Sequence, residues 1–132
     1  MSKELYWLVL TAAMTGLLWV PYILDRIMVR GPIGATANPS PTDKPQSAWA
    51  ERMMAAHTNT VENLAVFAPL ALAAQALNIH TATTALACAL FFWCRLAYVA
   101  IYTAGIPVLR TLAFAGGFVG QAMLALAIFG MM

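Results

Sequence analysis

The stretch Ala50–Pro69 reads AERMMAAHTNTVENLAVFAP, and it decides how the rest of the chain is interpreted. It places Arg52, Asn59 and Glu62 ahead of a run that stays apolar to Leu77. Arg52 and Asn59 are seven residues apart, and Asn59 and Glu62 are three apart. Both spacings place residues on nearly the same side of an α-helix. A carboxylate and an amide that enter an apolar helix are costly without partners or a function. The stretch therefore predicts a helix that makes polar contacts inside a bundle.

The composition predicts an all-α integral membrane protein. Of its 132 residues, 62% are hydrophobic and 9% are charged, and the mean hydropathy is +0.77. Soluble domains carry roughly 25% charged residues, so this chain has too little polar surface for a soluble globule. A membrane span needs about 20 apolar residues, which leaves room for four spans in one domain over residues 1–132. The net charge of +2 is too small and too scattered for a nucleic-acid-binding surface.

We predict a bundle of four transmembrane helices at about 5–24, 48–77, 81–103 and 108–129. The N-terminal apolar run is too long for a signal peptide, so we expect it to be retained as the first span. Asp25–Ser47 holds four prolines and two glycines and is predicted to be a loop. Lysine and arginine residues lie in or beside the first and third loops but not the second. The first and third loops should therefore be cytoplasmic.

This topology brings polar side chains from three spans to one depth in the cytoplasmic half, whereas the other half should have almost none. The converging residues are Arg52, Asn59, Glu62, Arg95, Tyr98, Tyr102 and Arg110. Two interpretations remain open. Glu62 and Arg95 form a buried ion pair that fixes helix register, or the group forms a polar pocket, which the two tyrosines beside Arg95 favour.

Other polar residues have simpler interpretations. His57 lies off the face of Asn59 and is expected to be structural or interhelical, and His80 to be a solvated turn residue. Cys88 and Cys94 point to different sides of one helix, so they cannot bridge and should be inert packing residues. No metal-ligand spacing, phosphate loop or nucleophile motif occurs, so any chemistry needs a reactive group from elsewhere.

Two motifs resemble the MAPEG family, the membrane-associated proteins in eicosanoid and glutathione metabolism. Glu51–Asn63 carries E-R-x-x-x-A-H-x-N-x-x-E-N, followed by F-x-P-L, and Arg95–Arg110 reads RLAYVAIYTAGIPVLR. The chain is similar to a prokaryotic-type member. The resemblance implies a homotrimer of four-helix protomers in the bacterial inner membrane, with glutathione as thiol co-substrate between protomers in the cytoplasmic leaflet. Membrane lipid and a hydrophobic electrophile would be the other partners.

Site residues follow from the same resemblance, position by position. Glu62 would bind the amino group of glutathione, and Arg110 would stabilise its thiolate. The resemblance implies Arg110 and Tyr102 as catalytic residues, and it implies that glutathione is bound by Arg26, Arg30, Arg52, Asn59, Glu62, Arg95 and Tyr98. Which of Arg26 and Arg30 reaches a glutathione carboxylate is left open.

Three functions remain under consideration. The first is a glutathione-dependent transferase or peroxidase. Many glutathione-using members carry arginine where this chain has Ala55 and Thr58, so the second is a non-catalytic lipid-binding or scaffold protein of the same fold. The third, a proton-coupled exporter, is disfavoured because the apolar part of the first span has no acid between Glu4 and Asp25. The acceptor substrate is not determined by the sequence.

Overall fold

The computed structural model describes residues 1–132 and is built from α-helices. The helices are α1 Lys3–Leu17, α2 Trp19–Thr36, α3 Ala48–Ala76, α4 Ala82–Ala104 and α5 Pro107–Ile128. Only Leu18 separates α1 from α2, and its backbone is helical (φ −64°, ψ −22°). Pro21 has no N–H for the carbonyl of Leu17, which explains the break. The bundle therefore has four rods.

Three rods are long and apolar enough to cross a membrane, namely Lys3–Thr36, Ala82–Ala104 and Pro107–Ile128. The helices α3, α4 and α5 begin and end within one residue of the predicted bounds. The predicted loop over Asp25–Ser47 is wrong in its first part, because α2 continues to Thr36. Gly31 leaves the helical conformation at φ 75°, which lets the chain accommodate Pro32 without ending the rod.

Short turns with strong local signals join the last three helices. Thr81 caps α4, since its hydroxyl accepts from the backbone N–H of Thr84 while the Thr84 hydroxyl accepts from that of Thr81. Gly105 ends α4 in the left-handed conformation at φ 84°, and Pro107 opens α5. These turns place α3, α4 and α5 side by side in alternating directions.

The core is formed by small residues and aromatic rings. Phe67 of α3 stacks on Phe91 of α4 with ring centroids 4.1 Å apart. A Cβ atom added at Gly120 would lie 2.8 Å from the carbonyl oxygen of Ala87, and one at Gly116 would lie 2.6 Å from the sulfur of Cys94. The G-x-x-x-G step of α5 therefore allows α5 to pack closely against α4.

The two ends of the bundle differ in their chain segments. At the first end, which we call the loop end, α2 ends, α3 begins, α4 ends and α5 begins; at the other, the opposite end, α1 and α4 begin and α3 ends. The loop end is fixed by a bond from Arg52 to the carbonyl of Thr103. The opposite end is fixed by a bond from Ser2 to Gln75.

Candidate functional site

Arg95 is the centre of the polar interior towards the loop end. Its side chain is 1% exposed, although it lies on an otherwise apolar helix. One terminal nitrogen donates to Asn59 Oδ1 at 2.7 Å and to Thr60 Oγ1 at 2.9 Å, which joins α4 to α3. The buried Nε has no partner within the protomer. Arg95 therefore binds neutral oxygens, and of the two interpretations left open the ion pair with Glu62 does not form within the protomer.

The polar contacts of Asn59 continue along α3 to α5. Asn63 donates from Nδ2 to Asn59 Oδ1 at 3.2 Å, and Gln121 donates from Nε2 to the carbonyl oxygen of Asn63 at the same distance. Gln121 is buried. One network thus joins three helices, and we call it the inner network: Arg95, Asn59, Thr60, Asn63 and Gln121. The sequence did not single out Thr60 or Gln121, because isolated threonines and glutamines carry no pattern.

Aromatic rings connect Arg95 to Arg110. The Arg95 guanidinium lies 4.2 Å from the ring centroid of Tyr98, and Tyr98 packs edge-on against Tyr102 at 5.6 Å. The guanidinium of Arg110 lies 4.1 Å from the centroid of Tyr102. Both contacts have cation–π geometry. The structure therefore brings four of the predicted residues, with Asn59 as a fifth, into one continuous column on α3, α4 and α5.

Arg52 does not join this column. Its Nε donates to the backbone carbonyl of Thr103 at 3.0 Å, and its guanidinium packs against Gly105. The last carbonyls of α4 have no partner within the helix and carry its partial negative charge, so a cation here stabilises the helix end. Within the protomer, Arg52 closes the loop end of the bundle.

Arg26 and Arg30 organise the segment between α2 and α3. Arg26 donates from Nε to Gln46 Oε1 at 2.9 Å, and Arg30 donates to the carbonyl of Lys44 at 2.8 Å. Beside them, the buried carboxylate of Asp25 accepts from the backbone and hydroxyl of Ser47. Neither arginine contacts the inner network within the protomer.

Glu62 lies on the other side of α3. It is exposed, and the ion pairs of the protomer, Arg30–Asp43 and His80–Glu4, do not include it. It lines a pocket of about 330 Å³ with Tyr22, His57, Thr58 and Val61. We call this surface the outer face of α3: Ala55, Thr58, Val61, Glu62, Ala65, Val66, Pro69 and Leu72, all exposed.

His57 is interhelical, as predicted, but it also lines this pocket. Its Nδ1 lies 2.9 Å from the hydroxyl of Tyr22 on α2, which holds the imidazole at the mouth of the pocket next to Glu62. This contact was not predictable, because Tyr22 has the pattern of an interfacial aromatic residue. Tyr22 and His57 are therefore additional candidates that the sequence did not indicate.

The opposite end is not apolar, contrary to expectation. Glu4 is 1% exposed there and accepts from the hydroxyl of Thr84, and His80 Nδ1 lies 3.0 Å from its second oxygen. His80 is exposed and lies in the turn between α3 and α4, as predicted, but the prediction that it has no partner is wrong. The partner lay 76 positions away in the sequence, where no local pattern could indicate it.

Comparison with known proteins identifies the family of the chain. Searches of the curated proteins and of the solved structures give no match. The model of the MAPEG family matches residues 5–130. This match covers nearly the whole chain and agrees with an all-helical bundle in which three rods can span a membrane. The chain is therefore a membrane protein that belongs to the MAPEG family.

Proposed function

We propose that this protein is a glutathione-dependent membrane transferase or peroxidase that acts on lipophilic electrophiles. In this proposal it works as a homotrimer, and glutathione binds between protomers in the cytoplasmic leaflet. The observation that carries the proposal is the position of Glu62. It is an exposed carboxylate beside a pocket and has no ion-pair partner. It lies on α3, whose inner side binds the buried Arg95 of α4 through Asn59.

The composition of α3 supports burial of its outer face in an assembly. With 29 residues α3 is long enough to span a membrane, but it is not among the three rods that are sufficiently apolar. A carboxylate that faces lipid is costly, and such residues usually face a bundle interior or a polar cavity. A second copy that covers the outer face would remove Glu62 from lipid and close the pocket around it.

The charged side chains of the proposed site suit glutathione, which has two carboxylates, one ammonium group and a thiol. Glu62 would accept from the ammonium group. Arg26 donates only to neutral partners, and the nearest Asp43 oxygen lies 3.8 Å from Arg30, so both guanidiniums retain capacity for a ligand carboxylate. The unpartnered Nε of Arg95 is a further buried donor on the inner side of α3.

Arg110 and Tyr102 supply the chemistry that the proposal requires. A cation close to a thiol lowers its pKa and raises the fraction of thiolate, which is the attacking species. Arg110 is half-buried and is held 4.1 Å above the Tyr102 ring, so its charge has a fixed position. The thiolate sulfur would then bond to the electrophilic carbon while the leaving group departs with its electron pair.

The test is conjugation of glutathione to a chlorinated dinitrobenzene by purified protein in detergent. Replacing Arg110→Ala should lower the rate about a hundredfold, the usual cost of removing one preorganised electrostatic contact to a developing charge. Lys44→Ala removes an equal charge from an exposed loop position and should retain the wild-type rate. Equal rates for the wild type and Arg110→Ala would remove the thiolate role from Arg110.

A non-catalytic lipid-binding role is the second candidate, and two residues favour it. Ala55 and Thr58 are exposed on the outer face, on the same side of α3 as Glu62, and neither contributes a charge. A glutathione site here would have fewer cations, and each charge-assisted hydrogen bond contributes about 1.5–3 kcal/mol. The two functions differ in whether glutathione binds at all.

A further inference from the structure

The cluster of Glu4, Thr84 and His80, in which Glu4 and Thr84 are buried, has no part in the proposed glutathione chemistry, because it lies at the opposite end of the bundle. Both oxygens of Glu4 are used, one by the Thr84 hydroxyl and the other by His80 Nδ1. The Thr84 hydroxyl also accepts from the backbone of Thr81 in the cap of α4. The carboxylate of α1 is therefore bonded directly to the first turn of α4.

Glu4 alone provides this kind of attachment within α1. The hydroxyls of Thr11 and Thr15 bond to carbonyls one turn back in their own helix, so they attach it to nothing else. Ser2, which caps α1, adds one bond to Gln75 Oε1 at 2.6 Å. No other side chain of Lys3–Leu17 hydrogen-bonds to another helix, so the polar attachment of α1 depends on Glu4 together with the Ser2 cap.

An open cavity borders the cluster. Glu4 and His80 line a cavity of about 560 Å³ whose walls also include Met1, Lys3 and Thr81. The titratable groups that surround the carboxylate are therefore the Met1 amino group, Lys3 and His80 on the cavity side, with the Cys88 thiol of α4 on the buried side. Water in this cavity provides a route by which the carboxylate can gain or lose a proton.

We propose that Glu4, Thr84 and His80 form an acid-released clasp that holds the beginning of α1 against α4. The ionised carboxylate accepts from both neighbours. A protonated carboxyl can still donate to the Thr84 hydroxyl, which then donates to the carbonyl of Thr81. This exchange replaces a charge-assisted hydrogen bond with a weaker neutral one, and a neutral carboxyl no longer attracts a protonated His80. The clasp is therefore strongest while Glu4 is ionised, and it loosens as pH falls through the pKa of this carboxyl.

Hydrogen exchange on the full-length protein in detergent tests the clasp. The readout is the protection of backbone amides in Tyr6–Leu10, corrected for the intrinsic exchange rate and compared between about pH 7.5 and about pH 2.5, a range that extends well below ordinary carboxyl titration. In the wild type, this protection should fall by about tenfold or more at low pH, as expected for the loss of a hydrogen bond to a charged group. Amides of α5 should keep their protection, which excludes general unfolding.

Three variants separate the contributions. Glu4→Gln should show the low protection at both pH values, and Asp43→Asn, which removes a loop carboxylate at the other end, should behave as the wild type does. His80→Gln keeps a neutral donor and should retain the acid-induced fall. Protection in α1 that does not change with pH in the wild type would overturn the proposal. A pH response that survives Glu4→Gln, or that disappears in His80→Gln, would also overturn it.

Discussion

The inner and outer sides of α3 both carry polar side chains, but only those on the inner side have partners within the protomer. The side chains of Asn59 and Thr60 accept from Arg95, and Asn63 Oδ1 accepts from Gln121. On the outer face, Glu62 is exposed and has no ion-pair partner. The difference indicates two roles for one helix. The inner side fixes the protomer, and the outer face remains available for a second copy and a ligand.

Removing Arg95 should have the largest effect on the inner side. Arg95→Leu takes two charge-assisted hydrogen bonds from Asn59 and Thr60, and each is worth about 1.5–3 kcal/mol, so the free energy of unfolding should fall by about 3 kcal/mol or more. Unfolding by denaturing detergent measures this loss. Lys44→Leu, at an exposed position, is the matched control and should change stability by less than about 0.5 kcal/mol. Equal losses for both would contradict a structural role for the inner network.

Adding a methyl group between α4 and α5 should cause the next largest loss in the free energy of unfolding. In Gly120→Ala the new methyl group would lie 2.8 Å from the backbone oxygen of Ala87, which cannot move away as a side chain can. Overpacking of this kind costs about 1–3 kcal/mol. At Gly16 of α1 a Cβ atom has nothing within 4 Å, so Gly16→Ala should be neutral or slightly stabilising. The same assay compares them, and equal stabilities would refute the close packing.

The hydrogen bond between Tyr22 and His57 should contribute less to the free energy of unfolding than the close packing at Gly120 does. Tyr22→Phe removes the hydroxyl that lies 2.9 Å from His57 Nδ1, and the free energy of unfolding should fall by about 1 kcal/mol. Tyr6→Phe is the control, because Tyr6 is exposed and its hydroxyl bonds to no other group in the protomer. If both variants lose the same stability, the bond does not hold His57 at the pocket.

Changing Glu62 should have the smallest effect on the protomer. Glu62→Gln removes no internal contact, so the free energy of unfolding of the monomeric chain should change by less than about 0.5 kcal/mol. Unfolding is followed in detergent at a dilution where ultracentrifugation shows a monomer. A loss as large as that in Arg95→Leu would mean that Glu62 has a partner inside the protomer and that the two sides of α3 do not differ as described.

The sequence predicted the helices with strong local signals. The capped turn at Thr81 and the Gly105–Pro107 turn fix the bounds of α4 and α5, and these were predicted to within one residue. The start of the chain was harder to predict, because the part of α2 beyond Leu24 contacts residues some 20 positions later, such as Gln46 and Ser47, which no local pattern indicates. The pairing of Glu4 with His80 depends on folding in the same way.

The predicted polar face of α3 was nearly correct, and the remaining error has a geometric cause. Residues three apart differ by about 60° around a helix. That rotation separates Asn59, which meets Arg95, from Glu62, which faces outward. Periodicity can therefore place two residues near the same side of a helix, but it cannot show which of them points into the protomer. The roles of the predicted site residues in glutathione binding stay predictions.

Calorimetric titration of glutathione into the purified protein tests most directly whether the outer face of α3 is a glutathione site. The proposal predicts saturable heat at millimolar glutathione or below, lost in Glu62→Gln and retained in Glu51→Gln, which removes an exposed carboxylate from the first turn of the same helix. Absence of heat in the wild type would contradict the proposal and support the lipid-binding alternative. Heat that survives in Glu62→Gln would place the glutathione site elsewhere.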